Sequence, residues 1–211
     1  MSKRFAMAFT RLAMALAALV AAPVQADAPP GGTVPVDIAN LPGSVAPYVT
    51  TPMWVVDEML QLANVGPADV VVDLGSGDGR LVLVAVTKFG ARSGFGVDID
   101  PTLVDYANRK AAEAGVAERA KFYLRDMFAT DIRSATVVTV YLLPCIMDRL
   151  RKKLLAELAP GTRVVSHDYI FPSWPTDRVL SLDVPDKSDY TGRRNTAVYL
   201  YSIPARGVST H

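Results

Sequence analysis

The sequence predicts a single α/β domain: a doubly wound, mostly parallel sheet of seven strands with a C-terminal antiparallel hairpin. Three observations predict this fold. Short β-branched runs alternate with segments of helical period, as expected for successive βα units. A glycine-rich turn follows the first run, and a polar loop joins the last two. Half of the 211 residues are hydrophobic, enough for one sizeable core.

Charge and cysteine content exclude several classes of protein. The 22 basic and 21 acidic residues nearly balance, so no strong electrostatic field predicts a nucleic acid partner. The single cysteine, Cys145, excludes an internal disulfide. With two histidines besides, the sequence offers no Cys/His cluster for zinc, and no metal site is predicted.

Residues 1–26 have the pattern of a secretory signal peptide. Lys3, Arg4 and Arg11 precede a short apolar run, and Ala26 offers a small residue at the cut. The run is shorter than a membrane span of about 20 residues, so no stable span is expected after cleavage. The expectation is an exported protein, periplasmic or secreted. An uncleaved membrane anchor and a cytoplasmic protein with a misassigned start codon are the alternatives.

The predicted domain covers residues 51–204. An extended arm, residues 27–50, precedes it, and a tail, residues 205–211, follows. At its start, Thr51 is predicted as the N-cap and Pro52 as the first residue of a helix that buries one apolar face.

The first strand, residues 70–72, leads into the turn that organises the chain. Asp73 is followed by glycines at alternate positions, and residues 81–89 then have helical period. Arg80 stands where a dinucleotide fingerprint needs its third glycine, which argues against a nicotinamide oxidoreductase. The segment D-x-G-x-G-x-G resembles motif I of the class I S-adenosylmethionine-dependent methyltransferases. This resemblance implies that the cofactor's amino acid end is held by Asp73, Gly75, Ser76, Gly77 and Gly79.

Two later strands end in acidic residues. Asp98 ends the second strand, residues 94–98, where a carboxylate can accept hydrogen bonds from ribose hydroxyls. Asp100 precedes Pro101 and is predicted to cap the next helix. The third strand, residues 121–125, leads to Asp126 and Met127. The resemblance implies contacts of this pair with the adenine, although an aspartate here is also an ordinary turn former.

The remaining strands are residues 135–143, almost continuously apolar as a central strand should be, then 162–166, 178–184 and 197–203. A helix over residues 145–158 lies between the first two. Ligands of such sheets bind at the carboxyl ends of the strands, where the candidates for acceptor binding and catalysis are Tyr141, Cys145, His167, Asp168 and Trp174.

Each of the main candidates has a structural alternative. Tyr141 can orient an amine, or be a core tyrosine. The pair His167-Asp168 can supply a base, or be a hydrogen-bonded structural pair. Trp174 can wall a cationic or apolar substrate, or cover the core.

The segments T-P, Y-L-L-P, P-G-T-R-V-V-S-H-D and F-P-S-W are similar to those of small protein-lysine methyltransferases related to the ATP synthase c-subunit lysine methyltransferase. This resemblance implies S-adenosylmethionine as cofactor and a protein lysine as methyl acceptor. The signal peptide departs from this group, because the cofactor is made in the cytosol. The alternatives are an exported methyltransferase of a small molecule or lipid, and an inactive cofactor-binding relative.

Overall fold

The computed structural model describes residues 49–183 and 195–205. The predicted signal peptide, nearly all of the arm, most of the tail and the polar loop before the last strand lie outside these residues. The described part contains four α-helices, one short 3₁₀ turn and seven strands. The helices are α1 Met53–Leu62, α2 Arg80–Thr87, α3 Pro101–Glu113 and α4 Pro144–Glu157. The strands are β1 Val70–Leu74, β2 Ser93–Asp98, β3 Ala120–Leu124, β4 Val137–Val140, β5 Arg163–His167, β6 Arg178–Asp183 and β7 Asn195–Ser202.

The seven strands form one sheet in the order β3-β2-β1-β4-β5-β7-β6. The first five are parallel to one another, and β7 runs antiparallel to both β5 and β6. The predicted doubly wound sheet with a closing hairpin is therefore confirmed. The largest difference in strand bounds is at β4, predicted at 135–143 and observed at Val137–Val140.

Successive residues of the strands point to opposite faces of the sheet and pack into two hydrophobic cores, one on each face. Val71 belongs to the core beneath α1, α2 and α3, whereas its neighbour Val72 belongs to the core beneath α4. All residues of β1 and β4 are buried, as expected for central parallel strands that are covered on both faces.

The start of α1 differs from the prediction. Pro52, not Thr51, is the N-cap, and its carbonyl oxygen accepts hydrogen bonds from the amides of Val55 and Val56. Thr51 is buried, and its hydroxyl hydrogen-bonds the His167 ring instead of the helix. The capping prediction for Asp100 is confirmed, since its carboxylate accepts from the amides of Thr102 and Leu103.

No helix in residues 49–183 and 195–205 combines the length and apolar character that crossing a bilayer requires.

Candidate active site

The strand order reverses between β1 and β4, and a crevice at such a point is the usual ligand site of an open α/β sheet. Leu74 of β1 pairs with Val140 of β4, and Val140 pairs with Ser166 of β5. The turn after β1 therefore lies beside Tyr141, and Tyr141 beside His167. A Cβ on Gly75 would lie 2.9 Å from the Leu142 side chain, so the turn and the end of β4 are in contact.

The backbone of the glycine turn has φ angles that glycine adopts readily and other residues adopt seldom. Gly75, Gly77 and Gly79 have φ of 83°, 53° and 80°, in the left-handed region. The amides of Gly75 and Ser76 both donate to the carbonyl oxygen of Val97, each at 2.9 Å. The turn is thus fastened to the end of β2.

Asp98 completes this fastening. One carboxylate oxygen accepts from the Gly77 amide at 2.8 Å, and the other from the Asp100 amide at 3.0 Å. A carboxylate has about four lone-pair positions, so these two bonds leave capacity for further donors such as hydroxyls. The structure brings Asp98 and the glycine turn together, as the sequence predicts.

Asp73 lies at the base of the turn and is almost fully buried. The hydroxyl of Thr139 donates to its carboxylate at 2.7 Å. Burial is the main reason that the pKa of Asp73 rises to about 8, with smaller contributions from the nearby charges of Asp98 and Asp78. Sequence reasoning missed Thr139, although a polar residue within an apolar β-branched strand was a usable signal.

Ser76 and Gly79 have different surroundings from the rest of the turn. The Ser76 hydroxyl is buried and has no hydrogen-bond partner among the described residues. At Gly79, a Cβ would lie 2.5 Å from the Phe122 ring and 2.9 Å from the Ala107 side chain. The absence of a side chain at Gly79 thus serves the packing of α2 against α3 and β3, a reason separate from the predicted cofactor contact.

Asp126 and Met127 follow β3 at the same edge of the sheet. The Arg125 amide donates to the Asp98 carbonyl oxygen at 2.9 Å, which joins the ends of β3 and β2. Asp126 is exposed and caps the 3₁₀ turn Met127–Ala129 by accepting from the Phe128 amide at 2.8 Å. The alternative role of Asp126 as a turn former is therefore present in the structure. Met127 is buried in the core beneath α4.

Tyr141, His167 and Asp168 form a second cluster at the ends of β4 and β5. The Tyr141 and His167 rings lie with their centroids 4.0 Å apart. The Tyr141 hydroxyl lies 3.4 Å from Asp168 Oδ2, longer than the usual O–H···O separation of about 2.7 Å. Burial, and then the negative charge of Asp168, raise the pKa of Tyr141 above its ordinary value, so its hydroxyl stays protonated.

His167 is buried, and threonine hydroxyls hold both of its ring nitrogens. Nδ1 lies 3.2 Å from Thr51 Oγ1, and Nε2 lies 2.6 Å from Thr196 Oγ1. A ring engaged at both nitrogens has no free lone pair with which to take a proton from a substrate. The contacts thus favour a structural role for His167 over the predicted base, with Thr196 linking it to Asp168. Sequence reasoning missed Thr51 in this role and missed Thr196 altogether.

Trp174 does not join this cluster. It is buried in the core beneath α4, with its ring centroid 5.3 Å from that of Phe171 and 5.0 Å from that of Tyr201. This packing favours the alternative role of Trp174 as a cover for the core over the predicted substrate wall. Cys145 is exposed near the start of α4.

Comparison with known proteins identifies the family. The sequence profile of the ANTKMT methyltransferase domain matches residues 73–178. A protein-lysine N-methyltransferase of Saccharolobus islandicus is 40% identical over 157 residues, which are 74% of this chain and 93% of that protein. The chain belongs to the ANTKMT methyltransferase family. The ATP synthase c-subunit lysine N-methyltransferase of Mus musculus is 39% identical over 138 residues, 64% of this chain and about half, 49%, of the mouse protein.

A solved structure supports the same class. An RNA methyltransferase from Salinibacter ruber in complex with S-adenosyl-L-homocysteine superposes with a TM-score of 0.67 and 45% identity, over 76% of this chain and 97% of that one. The prediction of a class I S-adenosylmethionine-dependent methyltransferase is confirmed, and with it the cofactor.

The residues around the glycine turn fit this cofactor. Asp73 is a buried carboxyl group whose ionised form a cationic α-amino group would stabilise. The Ser76 hydroxyl is a buried polar atom in need of a partner. Asp98 retains acceptor capacity for hydroxyl groups. A positive amine, a hydrogen-bonding group and ribose hydroxyls are what S-adenosylmethionine presents.

Proposed function

We propose that this methyltransferase methylates the ε-amine of lysine in a protein. The observation that carries the proposal is the pairing of Asp168 and Tyr141 beside the glycine turn, because a carboxylate next to an aromatic ring suits a cationic amine. S-adenosylmethionine, when bound, supplies an electrophilic methyl group, and the protein's own residues bind and align the acceptor.

Recognition of the amine is assigned to two atoms. Asp168 Oδ2 is the carboxylate oxygen that faces Tyr141, and the 3.4 Å between it and the hydroxyl oxygen exceeds a normal hydrogen bond. An amine N–H can donate to Asp168 Oδ2 while the Tyr141 hydroxyl oxygen accepts another. Lysine has an ordinary pKa of about 10.4, so it arrives as a cation that this carboxylate attracts. One proton then leaves the ammonium for solvent water, and the lone pair that this exposes forms the new bond to the methyl carbon as the carbon–sulfur bond of the cofactor breaks.

On the cofactor side, we assign Asp73 to the α-amino group, the turn from Gly75 to Gly79 to the amino acid end, and Asp98 to the ribose. Asp126 and Met127 are assigned to the adenine end on the strength of the family resemblance. Alignment and exclusion of water are the main contributions that such a transfer needs from a protein.

The names of the relatives support a lysine acceptor, since two of them are lysine N-methyltransferases. The Salinibacter ruber protein is named for RNA instead. The nearly balanced charge of this chain favours a protein over RNA, because RNA binding relies on an excess of basic side chains.

The test offers the protein one acceptor class at a time. Residues 27–211 are incubated with methyl-labelled S-adenosylmethionine and a panel of lysine-rich proteins, the same proteins with blocked lysine amines, total RNA, or lipid vesicles. Label that appears in intact proteins and is lost on blocking supports the proposal. Label in RNA or lipid, or label that survives blocking, contradicts it. Gly77→Val, expected to lose cofactor binding, is the negative control.

We also propose that residues 1–26 direct export, with cleavage before Asp27. The supporting observation is the sequence pattern of a basic start, a short apolar run and a small residue at the cut. Mass spectrometry of the N-terminus, on protein from separate cytosolic and exported fractions, tests this. A mature start at Asp27 in the exported fraction is the expected result, and intact Met1 in the cytosol contradicts it.

A further inference from the structure

The buried ring of His167 lies at the centre of a chain of hydrogen-bonding side chains. Thr51, which precedes α1, reaches Nδ1, and Thr196, on β7, reaches Nε2. Thr196 Oγ1 is also 2.6 Å from Asp168 Oδ1. Thr51, His167 and Thr196 are each at least nine-tenths buried, so these contacts form away from bulk water.

The direction of each hydrogen bond follows from the number of protons available. The Ala197 amide donates to Asp168 Oδ1 at 3.2 Å and the Tyr141 hydroxyl lies 3.4 Å from Oδ2, so donors face both carboxylate oxygens and Asp168 acts as an acceptor. The single hydroxyl proton of Thr196 therefore goes to Asp168. The oxygen of Thr196 then has to accept, and its donor is Nε2 of His167. In a neutral ring this leaves Nδ1 as the acceptor for the Thr51 hydroxyl.

We propose that Thr51, His167 and Thr196 form a directed hydrogen-bond chain that positions the Asp168 carboxylate for the acceptor amine. The three are positioning residues, because they act on the amine through Asp168. Their hydrogen bonds end at Asp168 Oδ1, and Oδ2 faces Tyr141. This assignment rests on the proposed function, in which Asp168 binds the amine. It adds two threonines outside residues 73–178, the part of the chain that the family profile matches.

Strand β7 also holds the backbone of Asp168. Asp168 has φ of 61°, in the left-handed region that non-glycine residues seldom adopt. The Asp168 amide donates to the Ala197 carbonyl oxygen at 2.7 Å, and the Ala197 amide returns a bond to Oδ1. Strand β7 thus holds both the backbone and one carboxylate oxygen of Asp168.

Thr51 also connects this hydrogen-bond chain to the glycine motif after β1. Its carbonyl oxygen accepts from Arg80 Nη1 at 2.6 Å, and Arg80 also hydrogen-bonds Asp78 within the glycine motif. A single residue before α1 therefore contacts both the motif that follows β1 and the histidine that ends β5.

The first experiment compares Thr196→Val, which removes the hydroxyl at nearly constant volume, with Thr196→Ser, which keeps it. Thr162→Val is the matched control, because Thr162 is buried and its hydroxyl lies outside the site, 3.4 Å from the Ala135 carbonyl oxygen. With a lysine acceptor, Thr196→Val should lower kcat/KM on the order of tenfold, since a hydrogen bond to a charged group is lost. The Kd for S-adenosylmethionine, by calorimetry, should stay at the wild-type value.

Thr196→Ser should restore most of kcat/KM, and Thr162→Val should leave it at the wild-type value. Wild-type kinetics in Thr196→Val overturn the positioning role. A parallel loss of kcat/KM in Thr162→Val, or of cofactor affinity in Thr196→Val, also overturns it by pointing to a general structural effect.

The second experiment reads the proton position directly and needs no activity. The chain has two histidines, His167 and His211, so ¹⁵N spectra of the wild type and of His211→Gln assign the ring nitrogens of His167. A neutral ring with the proton on Nε2 is expected. A proton on Nδ1 overturns the hydrogen-bond chain. If the wild type methylates no lysine, the proposed function fails, and the spectrum still decides the direction of the chain.

Discussion

At the scale of single residues, Asp73 couples the cofactor site to pH. Its pKa is about 8 in the folded protein against an ordinary 3.8, so the folded state keeps a proton that the unfolded chain releases between about pH 4 and pH 8. We expect the free energy of unfolding to fall as pH rises through this range. Asp73→Asn should remove this contribution, because the amide carries no charge to desolvate.

Urea unfolding of the wild type and Asp73→Asn at about pH 5 and pH 8 measures the effect. The variant should gain stability relative to the wild type at the higher pH. Calorimetry should also show that it no longer binds S-adenosylmethionine. A difference in stability that does not change with pH would contradict the prediction.

Trp174 is the second residue whose role is open to a direct test. Since its ring packs against Phe171 and Tyr201, Trp174→Phe should lower the free energy of unfolding by about 1–2 kcal/mol and leave the KM for a lysine acceptor unchanged. Urea unfolding and steady-state kinetics check the two halves. A tenfold rise in KM at constant cofactor affinity would instead support the prediction that Trp174 contacts the substrate.

At the scale of elements, the contact of α2 with β3 and α3 depends on Gly79. Gly79→Ala should cost more stability than Gly90→Ala, because both sites have positive φ but only Gly79 lacks room for a Cβ. The left-handed backbone alone costs about 1–2 kcal/mol, and overlap with Phe122 and Ala107 adds about 1–3 kcal/mol. Chemical denaturation of the two variants measures the difference.

The overlap is checked in a double variant. Phe122→Leu in the Gly79→Ala background should recover part of the loss by removing the ring that collides. Equal losses in Gly79→Ala and Gly90→Ala would show that backbone strain alone explains the glycine.

At the scale of the whole molecule, the two ends of the sheet have different tasks. The carboxyl ends carry the site, whereas Arg163 joins several elements at the amino ends. It donates to the carbonyl oxygens of Ala63 and Asn64 and to Asp69. Asp69 in turn accepts from the Gly66 amide and the Thr136 hydroxyl. Arg163→Met should cost about 3 kcal/mol, because it leaves the buried Asp69 carboxylate without its cation.

The matched control is Arg133→Met, which removes the exposed ion pair with Asp131 and should change the unfolding midpoint little. Both variants should keep the wild-type kcat for methyl transfer when assayed well below their unfolding midpoints. Loss of kcat in folded Arg163→Met would contradict the separation of the two ends.

Much of this architecture was predictable because local patterns determine it. Hydrophobic patterns along the chain predicted all seven strands. Strands such as β1 and β4, which are buried along their whole length, are recognisable as runs of mostly apolar residues at neighbouring positions. The D-x-G-x-G-x-G spacing located the glycine turn and indicated the cofactor that it binds. The position of Asp98 at the end of the second strand predicted that it lies beside this turn. Asp100 before Pro101 was sufficient to predict a helix cap.

The sequence by itself thus determined the sheet, the family and the cofactor turn, all of which are written in residues close together along the chain. Only the tertiary structure decided that Thr51 and Thr196 hold His167, that His167 lacks a free nitrogen, and that Trp174 lies in the core. These outcomes depend on contacts between residues far apart in sequence, 116 positions for Thr51 and His167. They arise because β7 enters the sheet beside β5, and no local pattern specifies which side chains such a pairing brings together.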